Sequence, residues 1–249
     1  FGRSNLIRAF GKEWYLAYIK ITVARMRRMG FNTVCVGTND YLDEQTDCFL
    51  KKSNIPYVVT FRNFPLTKER IFRDFPDVFS SEYEELCREF AESSLRKYAG
   101  DPYLIGYFVT NEPEWLFSGE VNLAEQLLKT DGCVASKLKF TEFLSLKYCD
   151  VYSLNTAWGT KFKEFTEVLE FAYNCTDFPH SAHEDIRLFE GELIKQYTEV
   201  VSRALYAVDP NHLNLGMRYS WFSQRTTSMD LKNFDVFSIN CYETSPSVF

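Results

Sequence analysis

Short apolar runs, each closing on a polar cluster and separated from the next by helical periodicity, constrain this chain more than any other feature. Phe31-Asn32-Thr33-Val34-Cys35-Val36-Gly37 leads into Thr38-Asn39-Asp40, and Ile55-Pro56-Tyr57-Val58-Val59-Thr60-Phe61 leads into Arg62-Asn63. Leu104-Ile105-Gly106-Tyr107-Phe108-Val109 leads into Thr110-Asn111-Glu112-Pro113-Glu114-Trp115. Near-continuous apolar strands are those buried on both faces, so the runs predict a parallel sheet covered by helices. His212 to Met217 and Phe234 to Asn240 supply two further runs. Between them, residues 15 to 29 carry Leu16, Ile19, Val23 and Met26 at helical steps before Gly30, and residues 82 to 98 carry Leu86, Phe90 and Leu95 before Gly100. The long stretch from Glu114 to His212 reads as helical, with stripes at Leu138/Phe143/Leu146 and at Ile186/Phe189/Leu193/Tyr197/Val200/Leu205.

An open doubly-wound sheet and a closed barrel both fit alternating strands and helices. The first should carry a Gly-rich phosphate turn after its opening strand, and no G-x-G-x-x-G occurs here. Polar clusters at the C-terminal ends of several strands are what a (β/α)8 TIM barrel uses to build its site. Such a barrel needs eight strands, whereas five are legible. The expectation is therefore a single partial (β/α)8 domain over residues 1–249, with residues 116–211 a helical excursion after the fourth strand. The first strand and the last two would lie outside a sequence cut at both ends.

Composition narrows the function. Hydrophobic residues at 45% and charged residues at 25% are the balance of a globular chain. Lys and Arg number 28 against 34 Asp and Glu, a net charge of −6 with no basic tract, which argues against a nucleic-acid partner. No apolar run is long enough for a membrane-spanning helix. Seven cysteines without a C-x-x-C pair fit neither a zinc site nor a disulfide framework, so mostly free thiols are expected. The chain starts at Phe1, which leaves its compartment open, and the glycosylation tripeptide Asn174-Cys175-Thr176 carries little weight.

Asn111-Glu112-Pro113 is where residue type and position combine. A Glu at a strand's C-terminal end, flanked by Tyr107 and Trp115, is expected to be partly desolvated, with its pKa raised toward neutrality as a general acid requires. The Asn amide can both donate to and accept from a sugar hydroxyl. Pro113 is expected to hold Glu112 in extended geometry. A bare tripeptide of this kind is also a common cap on a surface loop.

Leu104 to Trp115 resembles the fourth-strand signature of the clan A glycoside hydrolases, retaining (β/α)8 enzymes whose Asn-Glu pair holds the acid/base. Met29 to Val34 resembles their second strand. Lys147-Tyr148 with Leu154 to Thr160 is similar to the helical insertion of β-galactosidase- and β-agarase-like members, and Asp235 to Tyr242 resembles the sixth strand. The resemblance implies a glycosidase cleaving β-glycosidic bonds of a β-galactoside- or agarose-like carbohydrate by retaining double displacement. It also implies no cofactor, no metal, and a secreted or periplasmic place. Glu112 would be the general acid/base, Asn111 would bind the 2-hydroxyl of the sugar being cleaved, and Tyr242 would position the nucleophile. The nucleophile, a Glu ending the seventh strand in this clan, would fall beyond Phe249. Glu243 is the nearest substitute, but strand alternation turns it away from Tyr242.

Trp221 and Arg218, with Tyr219, follow the fifth strand and could form a sugar-stacking wall. Asn39 and Arg62 close the second and third strands at the same rim. Glu114 reads as a surface charge, and His180 with His183 as a solvated helix start. The rival function is a non-catalytic carbohydrate-binding barrel lacking the second carboxylate; a third is a structural α/β protein whose likeness is ancestral only. Oligomeric state is not legible.

Overall fold

The computed structural model describes residues 1–37, 44–118, 121–174, 178–220 and 231–242. Two helices lead the chain, α1 (Gly2–Phe10) with no buried residue and α2 (Trp14–Arg28), which buries Ile19 and Val23. Leu16, expected on the same stripe, is 40% exposed. The small cluster under α2 buries Ile19, Val23 and Ile55, with Tyr15, Met26 and Val34 packed against them, and Leu16 is not part of it. Strand β1 (Val34–Gly37), helix α3 (Glu44–Ser53) and strand β2 (Tyr57–Thr60) follow.

After β2 comes a feature that sequence periodicity did not reveal, an antiparallel hairpin of β3 (Arg70–Phe72) and β4 (Phe75–Pro76). It is too short for alternation to register. Helix α4 (Ser81–Leu95) starts where Ser80 Oγ accepts from the Tyr83 N–H at 3.1 Å. It returns the chain to strand β5 (Leu104–Phe108). The stretch read as helical is so: α5 (Leu123–Lys129), α6 (Val134–Tyr148), α7 (Val151–Trp158), α8 (Glu167–Asn174) and the 29-residue α9 (His180–Val208). Short strand β6 (Leu213–Asn214) then closes the pattern.

Among the described residues, β1, β2, β5 and β6 form one parallel sheet in that order. Successive sheet strands are spatial neighbours and the order does not reverse among them, which is consistent with part of a TIM-like barrel. Close approach of β5 and β6 requires a glycine. A Cβ on Gly106 would come 2.9 Å from the Leu213 Cβ and nearer still to its carbonyl oxygen. The expected strand at 234–240 is instead a loop that pairs with the sheet side only through an isolated parallel bridge, Tyr219 to Ile239. Its Asp235 and Val236 N–H groups go to Asn214 O, which turns the chain away from an extended ladder.

The core is aromatic. Phe75 stacks on Tyr197 at 4.7 Å, Trp115 meets Phe75 edge-on at 5.3 Å, and the Tyr83 hydroxyl donates to Tyr197 O at 2.7 Å. Helix α9 thus locks the hairpin, α4 and the segment after β5 together, and Ile186, Phe189, Leu193, Tyr197, Val200 and Leu205 are all buried as their spacing predicts. On α6 the buried row is Ser136, Phe140 and Leu144, at four-residue steps, which leaves Leu138 and Leu146 exposed against expectation. Within the described residues no helix is long and apolar enough to cross a membrane. Among the described residues, Cys35, Cys48, Cys87, Cys133 and Cys149 are free thiols.

Candidate active site

Three chain segments end side by side at the C-terminal rim of the sheet. The ladder beyond β5 runs on through Leu215 N–H to Tyr107 O (2.9 Å), Val109 N–H to Gly216 O (2.8 Å) and Glu112 N–H to Arg218 O (3.3 Å). The next pairing runs from Tyr219 N–H to Ser238 O (3.0 Å) and from Asn240 N–H to Tyr219 O (2.7 Å). Parallel register therefore gathers Asn111, Glu112, Arg218, Asn240 and Tyr242, which span 132 positions of sequence, or Asn111 to Tyr242 inclusive, into one cluster.

Glu112 is not extended, as the following proline had suggested, but has φ of +52°. Left-handed backbone is costly for a non-glycine residue and costlier before proline, so the surroundings must over-determine it. They do so on both sides. The Glu112 N–H is taken by Arg218 O, itself a residue at φ +47°. Beyond Pro113, the Asp74 carboxylate at the hairpin tip accepts from Glu114 N–H and Trp115 N–H, both at 2.8 Å, while Arg73 donates to Glu114 O at 3.0 Å. Trp115, 1% exposed, anchors the turn in the core.

The Glu112 carboxyl is half-buried, and two donors converge on its Oε1. The Asn240 Nδ2 stands 2.6 Å away, and the Tyr242 hydroxyl makes a short hydrogen bond to the same oxygen. Asn240 Nδ2 also lies 3.3 Å from Asn111 Oδ1. The expected raising of the Glu112 pKa is overturned. The Asn240 hydrogen bond first, then that of Tyr242, pull it below the ordinary carboxylate range; modest desolvation opposes them, and the Arg218 charge adds to the lowering. The same contact pushes the Tyr242 phenol above its ordinary value. Arg218 lies over the Phe108 ring at 5.3 Å.

Of the residues singled out from sequence, Asn111, Glu112, Arg218 and Tyr242 thus meet. Arg62 is exposed one strand over, where Phe61 N–H bonds Phe108 O at 2.9 Å. Asn39, Trp221 and Glu243 lie outside the described residues. Glu114 and both His180 and His183 are exposed. Sequence reasoning missed Asn240 and Asp74. Asn240 stands two residues before Tyr242, the spacing at which an extended segment presents both side chains to one side; nothing in the sequence links Asp74 to Glu114.

A carboxylate with one oxygen held by two donors, an amide and a phenol beside it, and a guanidinium within its field can exchange a proton and hydrogen-bond a polyhydroxylated ligand. The profile of the family described as "Beta-galactosidase", glycoside hydrolase family 42, matches residues 67–246. Beta-agarase A of Vibrio sp. (strain JT0107) is 28% identical over 253 residues, covering 90% of this chain and 24% of the relative. The chain spans about a quarter of the length of the curated relatives it matches. Among solved structures, an exo-β-agarase superposes with a TM-score of 0.70 at 23% identity, over 94% of this chain and 34% of that one. The β-galactosidase of the psychrophilic Marinomonas ef1 superposes with a TM-score of 0.63 at 20% identity, over 88% of this chain and 38% of its own. Both are likenesses of fold.

Proposed function

The chain belongs to the β-galactosidase family glycoside hydrolase 42, and from that membership we propose that it carries the acid/base half of a retaining β-glycosidase site, with Glu112 as the general acid/base. The domain is read as a single catalytic unit interrupted by the helical excursion at 116–211, and its substrate as a β-galactoside or an agarose-like oligosaccharide. The observation that carries the reading is the Glu112 carboxyl, held out of ordinary backbone geometry at a strand tip with Asn111, Arg218, Asn240 and Tyr242 around it.

In the first step Glu112 gives its proton to the departing glycosidic oxygen while a second carboxylate, about 5–5.5 Å away in such enzymes, bonds the anomeric carbon. In the second, Glu112 takes a proton from the water that cleaves the glycosyl-enzyme. Its lowered resting pKa suits the base role. A sugar seated over the half-buried carboxyl removes water and strengthens desolvation, the one influence that already acts upward, and so recruits the acid form. Asn111, exposed beside it, offers its amide to the 2-hydroxyl, and Tyr242, expected from sequence beside the nucleophile, donates here to Glu112 and orients that carboxyl.

Glu112→Gln in the intact protein tests this. Hydrolysis of an unactivated β-galactoside should fall by about a hundredfold or more, while an aryl glycoside with a good leaving group keeps its first step. Unchanged turnover of the unactivated substrate would end the assignment. One observation favours a second reading, sugar binding without turnover: the resting carboxyl is held as an acceptor beside a 74%-exposed tyrosine, Tyr242. That reading requires oligosaccharide affinity with no hydrolysis by the unaltered protein.

A further inference from the structure

Glu112 and Asn111 share a neighbour whose chemistry sets how each of them is used. We propose that Asn240 is a positioning and specificity residue of this site, whose single amide nitrogen reserves Glu112 Oε1 as an acceptor and turns the Asn111 amide so that its NH2 group faces the sugar. The inference rests on the acid/base reading of Glu112.

An amide nitrogen carries two hydrogens and no free lone pair. The Asn240 Nδ2 lies 2.6 Å from Glu112 Oε1 and 3.3 Å from Asn111 Oδ1, within reach of both acceptors, and the same amide bears on the Tyr242 phenol. The orientation is chemically forced, since the opposite flip would set the Asn240 carbonyl against a carboxylate oxygen at hydrogen-bond distance. With Asn111 Oδ1 engaged, what Asn111 offers a ligand is its donor end. The Tyr242 hydroxyl spends its one hydrogen on the same Oε1. Two donors fill the lone pairs of that oxygen, so the proton a general acid delivers has to ride on Oε2. Asn240 thereby divides the carboxyl into an anchored oxygen and a working one.

The clamp is also built to stay. The Asn240 N–H is tied to Tyr219 O at 2.7 Å, Tyr219 is fully buried, and its ring stacks on Phe237 at 5.5 Å. Facing Glu112 from the three tips, the charged and titratable groups among the described residues are Arg218 and Tyr242, both of which favour the carboxylate. Asn240 is the uncharged member of the set and the one that also touches Asn111.

Two readouts test the assignment without relying on turnover. In the unaltered protein, the Asn240 side-chain NH2 resonances should move with the same midpoint as the Glu112 carboxyl carbon in an NMR pH titration. In Asn240→Ala the Glu112 midpoint should move up, because a donor to the charged form is lost. A third readout is kinetic. The penalty for removing the 2-hydroxyl from the sugar should shrink about tenfold in Asn240→Ala, because Asn111 is free to flip. Tyr242→Phe should raise the Glu112 midpoint yet leave the 2-deoxy penalty in place. Asn240 resonances indifferent to Glu112 ionisation would overturn the proposal even if Asn240→Ala does not fold. An unmoved midpoint and an unmoved 2-deoxy penalty in a folded Asn240→Ala would do the same. If Glu112→Gln still slows the unactivated substrate in that case, the acid/base reading survives and only the role of Asn240 is lost. Undiminished turnover in Glu112→Gln sinks the reading itself.

Discussion

Asp185 shows how this chain treats a buried charge. It is wholly buried, and its carboxylate collects the Lys147 ammonium, the Tyr148 hydroxyl at 2.6 Å and the Trp158 indole N–H at 2.8 Å. The donors come from α6 and α7 and the acceptor from α9, so one residue staples three helices of the excursion. Removing one member of a buried charge network strands the others. Asp185→Ala should therefore cost about 3–5 kcal/mol, read as a lowered urea midpoint with unchanged slope; a loss under about 1 kcal/mol would mean the network is solvated. Glu112 is the opposite case. It is half-buried and its partners serve orientation, so its substitution should be felt in chemistry far more than in stability.

At the scale of elements, the junction of β5 and β6 carries the most consequence for the site. Gly106 faces the Leu213 backbone so closely that any side chain must force the strands apart. Since β5 leads directly to Glu112, and the 213–219 segment leads to Arg218, separating them misaligns both tips. Gly106→Ala should cost about 1–3 kcal/mol, toward the upper end because the obstacle is backbone. It should also lower activity beyond the loss of folded protein, measured as specific activity per folded molecule at a temperature well below the melt. Normal specific activity in a destabilised variant would separate strand spacing from site geometry. The β3–β4 hairpin acts in a similar way from outside, its Asp74 and Arg73 clipping the turn after Glu112.

For the whole molecule, burial of weak acids sets the alkaline limit of stability. Desolvation pushes the Cys87 and Cys133 thiols up to about 12, and desolvation with the Asp185 hydrogen bond carries Tyr148 up to about 12. Burial holds Tyr83 and Tyr197 well above the ordinary phenol value. The folded chain keeps these protons at a pH where the unfolded chain releases them. Their contribution is thus complete below the ordinary thiol and phenol values of 9 and 10 and is lost as pH rises toward about 12. Urea unfolding from about pH 8 to pH 11 should show stability falling above pH 9 to 10, with a shallower fall in Tyr148→Phe. A flat profile through that window would contradict the burial of these groups.

The strand runs up to β6, though not the one expected at 234–240, the long helical stretch and the position of Asn111-Glu112 were legible because they are local. A run such as Leu104 to Val109 needs only its own apolar residues to declare a strand, although Ile105 within it is exposed, and the α9 row from Ile186 to Leu205 declares its face by spacing. The conformation and proton affinity of Glu112 were not legible. Proline alone predicts an extended residue and a strand-tip carboxyl alone predicts a raised pKa, yet Arg218 O takes the backbone N–H while Asn240 and Tyr242 take the side chain. Those partners lie more than a hundred residues away in the chain. Only parallel packing of neighbouring strands brings them within hydrogen-bond reach, and at that distance donors to a carboxylate outweigh what its own neighbours in sequence prescribe.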